Sequence, residues 1–75
     1  MPLSVHVEMA VRQYLSALEG EDTSDLYELI LSQIEKPLLT VVLEFVDGNQ
    51  SKCAQILGLN RGTLRKKLKI YHLMK

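Results

Sequence analysis

Apolar residues recur at intervals of three and four along most of the chain, and no stretch alternates apolar with polar for long. That period is helical, so the fold class is all-α, and four helical stretches are expected. After Ser4, placed to act as an N-cap, Val7, Val11, Tyr14, Leu15 and Leu18 fall on one face of a first helix that should stop near Glu19. The segment GEDTSD at 20–25 is polar and rich in turn and capping residues, and the acidic run Glu19 to Asp25 is most simply a solvated linker. Asp25 followed three residues later by Glu28 has the spacing of a helix-capping arrangement, so a second helix begins there.

The second helix, roughly Leu26 to Val46, places Leu26, Leu29, Ile30, Ile34, Leu38, Val41, Val42 and Phe45 on a broad stripe, with Tyr27, Leu31, Leu39 and Leu43 elsewhere. One neighbour cannot cover that much apolar circumference, and a chain of 75 residues has little mass to surround it. A homodimer with this helix at its centre is therefore expected. Pro37 lacks an amide hydrogen and clashes with the preceding turn, which predicts a kink or, alternatively, two shorter helices broken at Lys36.

Asp47, Gly48 and Asn49 end the long helix, with Gly48 suited to a left-handed C′ position and Asn49 to capping the next helix. A short helix over 50–57, a break at Gly58-Leu59-Asn60 and a last helix over 61–70 complete the pattern. Two short helices joined by a tight Gly-containing turn form a helix-turn-helix candidate. Ala54 is small where the helices must cross, Gly58 can take the positive φ of the turn, and Leu64 with Leu68 and Tyr71 gives the last helix its apolar face.

Composition sharpens this picture. At 8.5 kDa and 47% hydrophobic residues, the chain makes one small domain that buries only about 60% of its unfolded surface, and a single cysteine rules out an internal disulfide. No apolar run approaches a membrane span and no signal-peptide pattern opens the chain, so a cytoplasmic location is expected. Formal charge is zero, yet it is strongly polarised. Residues 1–47 hold two basic and all nine acidic side chains, a net of −7; residues 48–75 hold seven basic side chains and no acid, a net of +7. A local basic field attracts polyanions whatever the total charge.

In a helix-turn-helix the N-terminal end of the second helix enters the major groove. Here that end is Asn60-Arg61-Gly62-Thr63, with Gly62 leaving room for close approach. The Arg61 fork matches guanine O6 and N7, Asn60 can reach a base edge or a phosphate, Thr63 offers a hydroxyl, and Lys66 shares the side of Gly62 and Thr63. Arg65, Lys67 and Lys69 suit phosphates, and Lys52 with the amides of Gln50 and Ser51 can anchor the first helix of the motif to the DNA backbone. Taken alone, RKKLK at 65–69 also reads as a solvated basic helix end.

The residues LYEL at 26–29, IEKPLL at 34–39 and GNQSKCAQILGLNRGTLRKKL at 48–68 resemble the Fis family of bacterial nucleoid-associated DNA-binding proteins, over nearly the whole chain. The resemblance implies an intertwined homodimer of four-helix subunits, with residues 1–47 supplying dimerisation helices and 48–75 the DNA-binding part. It implies binding to degenerate double-stranded sites, DNA bending, compaction of the bacterial nucleoid and transcriptional regulation, with the transcription machinery as a further partner. By position, Asn60, Arg61 and Lys66 match the family's base-proximal residues, and Asn49, Gln50, Ser51, Thr63, Arg65, Lys67 and Lys69 match backbone-facing ones. Asp47 and Ile70 stand where well-known members carry basic residues, so weaker contacts to flanking DNA are expected. Longer members carry a β-hairpin arm that activates site-specific DNA invertases, and no invertase activation is expected here.

Two other readings stay open at this level. Tails of enhancer-dependent transcription activators carry a similar helix-turn-helix after an ATPase domain, and this chain has no phosphate-binding G-x-x-x-x-G-K-[ST]. A helical interaction module without DNA binding would also be compatible with the periodicity. Enzyme chemistry has little footing: Cys53 reads as a small core residue, and His6 and His72 lack ligand-spaced partners, so neither a cofactor nor a metal is expected.

Overall fold

The computed structural model describes residues 2–21 and 24–74. Among them are four helices and no strand: α1 (Leu3–Ala17), α2 (Leu26–Phe45), α3 (Gln50–Leu57) and α4 (Arg61–Ile70). Asp22 and Thr23 of the expected linker, Met1, and Lys75 of the basic half lie outside the described residues. The chain divides into two compact units, Met1–Leu31 and Ser32–Lys75, and the division falls inside α2.

In the first unit, α1 starts two residues earlier than its pattern suggests. Pro2, extended at φ −63 and ψ 150, stands at the N-cap, so Ser4 is inside the helix rather than capping it. Proline supplies the right φ but no side-chain acceptor, and no side-chain cap bond forms. Val7, Val11, Tyr14 and Leu18 are half-buried as their spacing requires, whereas Leu15 is exposed. α2 begins directly after Asp25, whose carbonyl accepts the Leu29 amide at 3.0 Å. With φ at 62, Asp25 is left-handed, unlike the extended residue of the expected capping arrangement.

The second unit holds the core. Leu39 from α2, Cys53 and Ala54 from α3, and Leu64 and Leu68 from α4 are buried together. Val42, Leu43, Val46, Leu57, Leu59, Tyr71, Leu73 and Met74 pack around them. The helix-turn-helix therefore sits on the α2 face that carries Leu39 and Leu43. The stripe Leu38, Val41 and Phe45, spaced i, i+3, i+7, is left exposed at 48%, 62% and 80%.

α2 runs unbroken through Pro37, which removes the alternative of two helices divided at Lys36. Proline cannot donate to the Gln33 carbonyl, and the next turn is adjusted by the Thr40 hydroxyl, which donates to the Lys36 carbonyl at 2.7 Å. Burial of Leu39 just beyond the proline holds the helix together where local propensity would end it.

Three helix endings in this unit share one pattern. The amides of Gly48, Leu59 and Leu73 reach back five residues to the carbonyls of Leu43, Ala54 and Leu68 at 2.9, 2.9 and 2.8 Å. Between them Asp47, Gly58 and His72 take left-handed φ values of 53, 72 and 58. These are Schellman endings, which satisfy otherwise orphaned carbonyls. In the first, Asp47 and not Gly48 is the C′ residue; Gly48, also left-handed at φ 80, comes after it.

Candidate nucleic-acid interface

Each helix of the motif opens on an asparagine. Asn49 caps α3, its Oδ1 accepting the Lys52 amide at 3.1 Å. Asn60 caps α4, its Oδ1 accepting the amides of Gly62 at 2.8 Å and Thr63 at 3.2 Å. Capping engages the acceptor end of the Asn60 amide and leaves its Nδ2 hydrogens for another partner. Gln50 and Ser51, in the first turn of α3, have amides without an intrahelical acceptor, so this end presents donors to an anion.

α4 turns Leu64 and Leu68 into the core, and the helical period sends Gly62, Lys66 and Ile70 to the opposite side in one line. Thr63, Arg65 and Lys69 flank that line, whereas Arg61, the first residue of the helix, falls by the period nearer the Leu64 and Leu68 side, and all four are exposed. Lys52 is exposed on α3. Ile70 is 67% exposed, an apolar side chain ending an otherwise polar face.

At the N-termini of these two helices the charges run against what an isolated helix would favour, although Lys67 and Lys69 suit the C-terminal end of α4. Neither α3 nor α4 has an acid in its first turn, and α4 places Arg61 there instead. A cation at a helix N-terminus forgoes about 0.3–1 kcal/mol of dipole stabilisation that an acid would supply. Such a local conflict marks a face kept for something other than folding.

Lys67 stands apart from the other described basic residues. It is half-buried, and its Nζ donates to Glu35 Oε2 at 2.7 Å, with side-chain exposures of 28% for Lys67 and 21% for Glu35. The Tyr71 hydroxyl donates to Glu35 Oε1 at 2.6 Å. These two bonds, first from Lys67 and then from Tyr71, outweigh the effect of burial and hold the Glu35 carboxyl below its ordinary pKa. Sequence does not signal Glu35, because its partners lie 32 and 36 residues away and no local pattern links them.

Cys53 is fully buried in the core, and burial pushes its thiol pKa up, which suits a packing role. Among the described residues no three His, Cys, Asp or Glu side chains are grouped to hold a metal ion. No described helix is long and apolar enough to cross a membrane.

The family model for the bacterial regulatory protein Fis family matches residues 30–71, nearly the whole second unit. Across 70 residues the chain is 56% identical to the DNA-binding protein Fis of Mannheimia haemolytica. Identity is 53% to the protein of that name from Histophilus somni and 51% to that from Haemophilus influenzae. In each case the match covers 93% of this chain and 71% of the relative.

Proposed function

Because the chain belongs to the Fis family of bacterial regulatory proteins, we propose that it is a DNA-binding, DNA-bending regulator of the bacterial nucleoid that works as a homodimer in the cytoplasm. The observation that carries the reading is the outward side of α4. It presents Arg65, Lys66 and Lys69 beside Gly62, with Arg61 exposed at the start of the helix, and no acidic residue comes after Asp47.

Arg61, Asn60 through its Nδ2 group, and Lys66 read base edges. Thr63, Arg65, Lys69 and Lys52, with Asn49 and the amides of Gln50 and Ser51, hold phosphates. Few base readers beside many backbone contacts give loose sequence preference and steep salt dependence. Two copies join through residues 1–47, where Leu38, Val41 and Phe45 form a stripe too apolar to face water. A rigid dimer whose recognition helices are not spaced by one turn of straight B-DNA bends its site, at an elastic cost of about 1–6 kcal/mol that varies with sequence. That cost selects flexible sites without base contacts and adapts the protein to regulating transcription at many loci.

Gel mobility of circularly permuted duplexes, with sedimentation of the free protein at micromolar concentration, tests this. A dimer giving position-dependent mobility supports the reading. A clean monomer, or complexes whose mobility ignores site position, contradicts it.

A further inference from the structure

Six basic side chains lie on α3 and α4: Lys52, Arg61, Arg65, Lys66, Lys67 and Lys69. Five are exposed, and Lys67 alone among them is half-buried against an acid. That acid is Glu35, on the helix that α4 packs upon. Lys67 and Tyr71 are one turn apart, and each takes a different oxygen of the same carboxylate, at 2.7 and 2.6 Å.

The apolar part of this packing sets which face of α4 points inward, and directional bonds define the rotation more sharply. Leu64 and Leu68 meet Leu39 and its neighbours through a force with no preferred direction of its own, so close packing holds them in place without bonds that specify an angle. Charge-assisted hydrogen bonds are directional and short, and two of them on one carboxylate define the rotation. Reading a base edge with a guanidinium fork tolerates little misplacement, because both of its bonds must align.

We propose that Glu35 is a positioning residue for DNA recognition: it clamps Lys67 and Tyr71 to set the rotation of α4 on α2, and Lys67 is part of that clamp rather than a phosphate contact. The inference rests on the DNA-binding reading above. It removes one cation per subunit from the phosphate-binding set and makes site discrimination depend on a group that touches no DNA. It also links the helix bearing the proposed dimer stripe to the helix that reads bases.

The test compares the full chain with Lys67→Met, Glu35→Gln, the double variant, and Arg65→Met as a phosphate-contact control. Each is titrated onto a preferred duplex and a scrambled one over a range of salt, at a temperature where circular dichroism shows all of them folded. Lys67→Met is expected to keep the parent's slope of log K against log salt, while Arg65→Met flattens it by about 0.9 for each phosphate that is no longer neutralised. Lys67→Met and Glu35→Gln are each expected to lower the preferred-to-scrambled affinity ratio about tenfold, and the double variant by no more than either alone, as for two halves of one interaction. A flattened slope for Lys67→Met, or losses that add in the double variant, would overturn the proposal. Lowered melting temperatures with an unchanged affinity ratio would reduce the clamp to a stabilising role and overturn it too. A parent that binds neither duplex would refute the DNA-binding reading itself, and the positioning role with it.

Discussion

Asp47 and Gly58 occupy the same place in two successive helix endings, the left-handed C′ residue of a Schellman turn, at φ 53 and 72. Glycine takes this conformation freely, whereas aspartate pays a steric cost and sets a negative charge at the negative end of the α2 dipole. Asp47→Gly is expected to raise stability by about 0.5–1 kcal/mol, with Asp47→Asn recovering the electrostatic share. Gly58→Ala should lower it by about 1 kcal/mol. Urea unfolding midpoints at one fixed protein concentration check both signs.

Gly62 separates stability from binding. A Cβ there would lie 3.1 Å from Asn60 Oδ1, close enough to press on the cap. Alanine's better helix propensity and the disturbed cap are each worth about 1 kcal/mol with opposite signs, so Gly62→Ala should scarcely move the melting temperature. The methyl group also stands on the outward side of α4, where crowding a close contact costs about 1–3 kcal/mol. Specific DNA affinity should fall roughly ten- to a hundredfold. Unchanged affinity would show that nothing approaches this glycine.

Glu35 gives stability a defined response to acid. Its folded pKa is depressed, so its contribution is fully present above its ordinary value near 4.5 and is lost as pH falls through the lower folded value. Glu35→Gln should therefore be less stable than the parent at neutral pH, by about 1–2 kcal/mol. The gap should close below the ordinary glutamate range. Paired denaturant titrations at neutral and strongly acid pH measure it, and a gap independent of pH would contradict the charged clamp.

Cys53 should behave as core and not as a reactive thiol. It is fully buried, and its thiol is held toward the protonated form. A thiol reagent at mildly alkaline pH is expected to react at least about a hundredfold more slowly with the folded protein than with the chain in denaturant. Equal rates would place the side chain at the surface.

Much of the second unit is legible in sequence because its signals are local. Asn49, Gly58 and Asn60 punctuate α3 and α4, and the spacing of Ala54, Leu64 and Leu68 names the core that the structure shows. Signals that depend on competition are harder. Pro37 breaks isolated helices, but burial of Leu39 beside it overrides that preference. Gly48 looks like the left-handed terminus of α2, yet two adjacent left-handed residues end the helix and Asp47 takes the first position. On α2, the apolar stripe alone does not say which side meets the motif, and Leu39 and Leu43 lie off that stripe. In the interface, Lys67 has the same local appearance as Arg65 and Lys69. Only the fold, by bringing Glu35 to it, sets it apart.

The account depends most on DNA recognition through α4. The most direct measurement is a fluorescence anisotropy titration of the parent and Arg61→Ala, on a duplex the parent selects from a random pool and on its scrambled counterpart, at two salt concentrations. Parent affinity should fall steeply with salt. Arg61→Ala should stay folded, since Arg61 is exposed, while losing about 1–3 kcal/mol of preference for the selected duplex. No binding at low salt, or an Arg61→Ala variant that discriminates as well as the parent, would contradict recognition through this helix.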